Sequence, residues 1–356
     1  MSLFKEMLGS GESIFKNEDA LDPEWVPKLL PYRDQQQHHI ASCIKPLLQE
    51  RNGRNVFIYG APGIGKTAAT RWVLRDLEEN TEEIVTFYVN CWKKNTSYKV
   101  LVDLCQQMNY TFTQNKKTEE IFDIIKNMVN KKSAVFVFDE IDKMDEFEFL
   151  YSILNDVYKK TIIIITNFKD WLNELEDRVK SRLLPEIIEF KQYNPQETEE
   201  ILKQRLEYAF VDNAWEEDAL KLVVARAADS KDIRVGLHLL REAGLIAEES
   251  SSKKILLEHA KKAAEKLIGV QIKNSADLDG ETRMVLNVVK ENSSKKIGEL
   301  FKSYTDSGGS GTYKTFQRRI SVLEKGKFIK TETLMGGKEG TTTVITYQSV
   351  KKLTEY

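Results

Sequence analysis

Residues 56–67 read VFIYGAPGIGKT. The apolar run Val56–Tyr59 leads into a glycine-rich loop, Gly60–Thr67, and the pattern continues as a helix. Strand, loop and helix in that order build a cradle for phosphate. Glycines let backbone N–H groups turn inward where a side chain would obstruct them. The helix starting at Lys66 adds its positive end. The Lys66 ammonium then reaches β- and γ-phosphates, and the Thr67 hydroxyl suits Mg2+. Gly60, Ala61, Pro62, Gly63, Ile64, Gly65, Lys66, Thr67 and Ala68 are therefore the expected phosphate-binding residues.

Outward from this loop, Val/Ile/Phe-rich runs alternate with helical patterns, as in a parallel α/β sheet covered on both faces. Strands are expected at Val56–Tyr59, Ile84–Asn90, Ala134–Phe138, Thr161–Thr166 and Ile187–Phe190, after an amphipathic helix over Arg33–Leu48. The third strand ends in Asp139-Glu140, so two carboxylates reach the sheet edge where ligands sit. Behind a phosphate loop, Asp139 suits Mg2+ and Glu140 suits a water-orienting base. Asn167, after the fourth strand, is either a turn residue or a contact to the γ-phosphate or attacking water. Arg178 and Arg182 both fit the part of an arginine offered to a neighbouring subunit. Arg234, in Lys231-Asp232-Ile233-Arg234, sits at a helix start, either as a surface arginine or as a reach towards the γ-phosphate.

After Pro195 the chain reads as helices only, with Pro195-Gln196-Glu197 a good helix start. Gly269 and the stretch to Asp279 suggest a boundary. Beyond it come helices, a glycine-rich loop at Ser307–Gly311, a helix over Tyr313–Lys325, and strands over Phe328–Leu334 and Thr341–Gln348. Three helices and a β-hairpin form a winged helix-turn-helix. The expected domains are residues 1–194, 195–269 and 270–356. In the last helix Phe316, Ile320, Val322 and Leu323 are expected in the core. Thr312, Lys314, Thr315, Gln317, Arg318 and Arg319 are then available to DNA, arginine pairing with guanine and glutamine with adenine. Gly337, Lys338 and Thr341 at the wing would touch the backbone.

Charge agrees with this division. Residues 270–356 carry 15 Lys+Arg against 10 Asp+Glu, while the other 269 residues carry 38 against 45. A basic segment on an acidic body suits a polyanion, although a solvated basic face would read the same. No apolar run approaches the roughly 20 residues that span a bilayer, and no secretory leader is evident. The 3 cysteines have no Cys-x-x-Cys spacing and the 4 histidines no ligand pattern, so reduced thiols and a cytoplasmic protein are expected, nucleoid-associated if the basic segment binds DNA.

These motifs, in this order, resemble the AAA+ ATPases, and more narrowly the archaeal origin-recognition and helicase-loader initiators, which are related to the eukaryotic origin recognition complex and cell-division-control proteins. The resemblance runs over roughly residues 14–350. It rests on IFKNEDALDPEWVPKLLPYRDQQ, GAPGIGKT, FYVNCWKKNTSYKVLVDLCQQ, FVFDEID, IIIITN, DRVKSRL, QYNPQE and KDIRVGLHLLREAG. It implies an AAA+ P-loop NTPase core with a helical lid, followed by a winged-helix DNA-binding domain. It implies ATP/ADP and Mg2+ as cofactors, with weak ATPase activity and ATP acting as a conformational switch. Asn167 and Arg234 would be nucleotide sensors, and Val26, Arg33 and Tyr193 would lie near adenine and ribose. Lys93, Lys94, Tyr98 and Lys99, within an insertion over Lys93–Thr113, would contact DNA. Implied partners are double-stranded origin DNA, a minichromosome-maintenance-type replicative helicase, and a paralogous initiator or a second copy on DNA. Other readings are a plasmid or viral DNA-binding regulator, or a clamp-loader or transposition-helper ATPase. Two details depart from the family: Lys-Asp-Ile-Arg stands for the usual Gly-Asp-Ala-Arg, and the wing tip GGKEGTTTV lacks an arginine often found after its second glycine.

Overall fold

Alternate residues of each short apolar run pack on opposite faces of one sheet, which is why the runs need no polar side. Phe57, Phe87, Phe136, Phe138, Ile162 and Ile164 belong to one buried cluster. Val56, Ile58, Val135, Val137, Ile163 and Ile165 belong to the other. The computed structural model describes residues 13–144, 146–276, 280–309, 311–325, 328–336 and 340–347. The chain divides into two compact units between Ala264 and Glu265.

In the first unit, helix α1 (Asp34–Ile44) precedes β1 (Val56–Tyr59), α2 (Lys66–Asn80), β2 (Ile84–Asn90), α3 (Ser97–Gln107), α4 (Thr118–Val129) and β3 (Ser133–Asp139). Then come α5 (Glu148–Asp156), β4 (Lys160–Thr166), α6 (Trp171–Glu174), α7 (Asp177–Leu183) and β5 (Glu186–Glu189). The five-stranded sheet has the order β2-β3-β4-β1-β5, and its neighbours pair in parallel. Tyr59 pairs with Thr166, and Asn90 with Asp139. This order brings the residues following β1 and β4 and the end of β3 to one edge.

Helix α1 is shorter than the apolar spacing suggests, turning 3-10 over Lys45–Gln49. Pro46 has no N–H for the Ser42 carbonyl, and Arg54 Nη2 donates to that oxygen instead at 3.3 Å. Helices α8 (Pro195–Ala209), α9 (Glu217–Ser230), α10 (Ile233–Glu249) and α11 (Leu257–Ala276) follow. Asn194 opens α8 with a capping box: its Oδ1 accepts from Glu197 N at 2.8 Å, and its own N–H donates to Glu197 Oε2 at 2.9 Å. Helix α11 passes through Gly269, where a boundary loop is expected. One glycine costs a helix only about 1 kcal/mol, and no proline accompanies it.

Residues 13–25 are stitched to the helices that follow the sheet. Lys16 N donates to Ala209 O at 2.8 Å, Val211 N to Ile14 O at 3.1 Å, and the Phe15 and Phe210 rings lie 4.8 Å apart. Arg241 reaches Glu18 at 2.6 Å. The buried Arg205 donates to Ala20 O at 3.0 Å and Trp25 O at 3.1 Å. Residues 26–28 turn to α2 instead, with Arg75 donating to Val26 O and Pro27 O, and Trp72 to Lys28 O.

The second unit contains α12 (Gly280–Glu291), β6 (Lys295–Lys296), α13 (Ile297–Asp306), α14 (Tyr313–Lys325), β7 (Ile329–Gly336) and β8 (Gly340–Tyr347). Its antiparallel sheet has the order β6-β8-β7. Phe316, Ile320 and Leu323, one face at i, i+4, i+7, join its core with Tyr304 and Val285. Val322 is 51% exposed, not in the core, because it falls two residues off that face. Among the described residues no helix is long and apolar enough to cross a membrane, and Cys43, Cys91 and Cys105 are free and buried.

Candidate nucleotide site and DNA-facing residues

The sheet edge opens into a cavity of about 790 Å³, lined on one side by Pro62–Ala68, Asp139, Glu140 and Asn167 and on the other by Trp25, Val26, Tyr193, Arg205 and Arg234. The loop needs glycine where it bends: Gly63 has φ +71° and Gly65 φ +88°, and a Cβ on Gly65 would lie 2.8 Å from the Tyr193 hydroxyl. Gly60 and Ala61 are not in the lining. Their carbonyls accept from Lys66 Nζ, both at 2.8 Å, and Asn167 Oδ1 accepts from the same ammonium at 2.9 Å. Burial pushes the Lys66 pKa down to about 8, against the pull of Asp139.

Asp139 is buried and fully engaged. Its Oδ2 accepts from the Thr67 hydroxyl and the Tyr88 hydroxyl, both at 2.6 Å, and its Oδ1 from Glu140 N at 2.8 Å. Burial, then the Asp139 charge, raises the Glu140 pKa, and Asn90 Nδ2 donates to Glu140 Oε2 at 3.4 Å. Tyr88 and Asn90 share a face of β2, one meeting each carboxylate. Sequence reasoning missed both, because the register of β2 on β3 brings them to these carboxylates. It also missed Trp25 and Arg205, whose guanidinium lies 4.9 Å over the Trp25 ring and whose pKa burial pushes down to about 10.

Val26 and Tyr193 line the cavity, but Arg33 lies behind its wall. The buried Arg33 donates to Ile64 O at 2.9 Å and Lys191 O at 2.7 Å, and stacks 3.9 Å over the Tyr193 ring, so it braces the loop from outside. Arg234 lines the cavity and pairs with Asp232 at 2.8 Å. Arg178 and Arg182, on α7, are exposed, both 5.0 Å over the Tyr151 ring of α5, and neither lines the cavity. Thr67 and Asp139 present hard oxygen donors 2.6 Å apart beside the loop, a donor set that fits Mg2+. A second group, His39, Cys43 and Glu186, has ligand atoms within 4.8 Å. There Glu186 is shared between His39 at 3.0 Å and Arg54 at 2.5 Å, so ordinary ion pairs account for it and the guanidinium opposes a cation.

After β2, Lys93, Tyr98 and Lys99 are exposed. Lys94 pairs with Asp103 at 3.0 Å, which draws it from the surface. Trp92 and Phe168, 64% and 57% exposed, flank Lys143, which lies 5.2 and 5.8 Å from their rings. In the second unit, Thr312 faces Thr315 across the start of α14 with hydroxyls 3.1 Å apart. Lys314, Gln317 and Arg318 are exposed. Arg319 differs from expectation: its Nη1 donates to Tyr304 Oη at 2.8 Å and Glu281 Oε2 at 3.1 Å, so it braces its own unit. Gly337 and Lys338 lie outside the described residues; Thr341 pairs with Met335 in β8. Arg319→Ala is expected to cost the second unit about 1–3 kcal/mol by removing its hydrogen bonds to Tyr304 Oη and the Glu281 carboxylate. Arg318→Ala should cost about 0.5 kcal/mol or less. Thermal unfolding of the two variants checks this, and equal midpoints would refute it.

A family model for the AAA domain matches residues 49–175. One for the Cdc6 AAA+ ATPase-type lid domain matches residues 199–265. The ORC1-type DNA replication protein 1 of Sulfurisphaera tokodaii is 33% identical, covering 88% of this chain and 84% of that protein. That of Archaeoglobus fulgidus is 32% identical, covering 91% and 84%. Among solved structures, the Aeropyrum pernix ORC1 protein in complex with DNA matches with a TM-score of 0.74 and 26% identity, over 95% of this chain and 94% of that one.

Proposed function

This chain belongs to the ORC1-type DNA replication proteins, and from that premise we propose that it initiates DNA replication by binding origin DNA under the control of ATP and recruiting or loading the replicative helicase, one of the minichromosome-maintenance type. The carrying observation is the convergence of Lys66, Thr67, Asp139, Glu140, Asn167 and Arg234 on one cavity. Residues 1–194 would hold nucleotide, residues 195–269 would close on it, and residues 270–356 would hold DNA.

Lys66 exchanges the Gly60 and Ala61 carbonyls for β- and γ-phosphate oxygens, a stronger charge-assisted contact. Thr67 and Asp139 would hold Mg2+, which would neutralise charge on the phosphates. Tyr88 and the Glu140 N–H keep the Asp139 carboxylate turned to that task. Glu140 orients a water and takes its proton, while Asn167 and Arg234 meet the γ-phosphate. Turnover by an isolated monomer is expected to be slow, since neither Arg178 nor Arg182 lines its own cavity and a neighbour would have to supply one of them. ATP then acts more as a switch than as fuel.

Phosphate binding favours the charged form of Lys66, so it restores a proton that burial weakens. Below pH 8 the free protein already carries that proton. Above it, binding must take the proton up, and affinity should fall by up to about tenfold per pH unit. Fluorescent-nucleotide titrations at pH 7 and pH 9 test this; equal affinities would contradict the Lys66 role.

The proposed function is tested by selecting bound fragments from the host's own DNA with the purified protein and ATP. A few loci sharing a short motif, lost with Arg318→Ala, are expected. Arg318 is the variant of choice because Arg319 supports the fold. Recovery of all fragments alike, falling only with salt, would overturn origin recognition and favour the clamp-loader or helper reading.

A further inference from the structure

Asp232 stands where α10 meets the phosphate loop, and three sets of contacts meet on its carboxylate. It caps α10, with Oδ1 accepting from Arg234 N at 3.0 Å. It holds the Arg234 guanidinium on both oxygens, with Nε at 3.0 Å from Oδ1 and 3.3 Å from Oδ2, and Nη2 at 2.8 Å from Oδ2. It also rests on Gly63: a Cβ there would lie 1.8 Å from Oδ1. Beside it, Ile233 N donates to Gly63 O at 3.3 Å. The Asp232 side chain is 16% exposed, the Arg234 side chain 50%.

We propose that Asp232 is a positioning residue that fixes the Arg234 guanidinium at the rim of the phosphate loop, and through it lets the site tell a nucleoside triphosphate from a diphosphate. The inference rests on reading Arg234 as the residue that meets the γ-phosphate. A long side chain at the cavity mouth samples many rotamers and loses that freedom when it binds. A guanidinium already clamped to a carboxylate that is itself seated on Gly63 has lost it beforehand. It carries five N–H donors, more than the pair with Asp232 employs. The pair also neutralises Asp232, whose bare charge beside the loop would repel phosphate.

The test uses Asp232→Asn in the full chain, because asparagine caps a helix as well as aspartate does, while the charge and one of the two oxygens that hold Arg234 are lost. Affinities for ADP and for a slowly hydrolysed ATP analogue are measured in Mg2+. ADP affinity should stay within about twofold, which also reports an intact fold. Affinity for the triphosphate should fall about tenfold, the scale of a hydrogen bond to a charged group. Arg234→Ala should show the same selective loss, and Asp232→Asn should add nothing in the Arg234→Ala background. The proposal is overturned if Asp232→Asn leaves the ratio of the two affinities unchanged while Arg234→Ala lowers it, if the two losses add, or if Asp232→Asn tightens triphosphate binding. An unchanged ratio in Arg234→Ala overturns the reading of Arg234 itself, and with it this proposal.

Discussion

Lys66→Ala is expected to abolish nucleotide binding, lowering affinity for ATP and ADP by about a hundredfold or more, as removal of one partner from a buried charged contact does. The unliganded protein should lose little stability. Burial already disfavours the charged Lys66, bringing its pKa to about 8, and among its partners Asn167 lines the cavity. Thermal unfolding with and without nucleotide separates the two effects, since a ligand stabilises only a fold that binds it. A variant that nucleotide still stabilises as much as the parent would remove Lys66 from the site.

Glu140→Gln is expected to keep nucleotide binding and to lose turnover by about 10²–10⁴-fold, the usual contribution of a positioned general base. Glutamine keeps an oxygen for Asn90, whose amide lies 3.4 Å from Glu140 Oε2, so the local fold persists. It has no carboxylate to take a proton from water. Single-turnover hydrolysis with saturating ATP is the measurement. Parental rates would exclude Glu140 as the base.

The sheet was legible because its strands are apolar on both sides and the loop between β1 and α2 carries its chemistry in consecutive residues. Asp139 and Glu140 followed from the end of a buried strand. Tyr88 and Asn90 did not, because their partners are fixed by the register of β2 on β3, which a single strand does not contain. Arg318 and Arg319 are neighbours in sequence, yet about 100° apart around a helix. Only the positions of Tyr304 and Glu281, on other helices, decide that Arg319 turns inward. Arg33 was placed near the ribose by resemblance, whereas its bonds to Ile64 O and Lys191 O put it behind the loop. Gly269 shows the limit of punctuation: a lone glycine permits an interruption without requiring one.

Residues 13–25, through their bonds to α8 and α10, would travel with those helices as one leaf in any swing. Together they bring Trp25, Arg205 and Arg234 to the cavity lining, while the opposing jamb carries Lys66, Asp139 and Asn167. On the proposed function, a nucleotide held by both sets of residues would draw leaf and jamb together. In such a swing the pivots would fall where the chain leaves the leaf, at residues 26–28, which are moored to α2, and near Asn194. Shortening either pivot would stiffen the swing without touching a single phosphate contact.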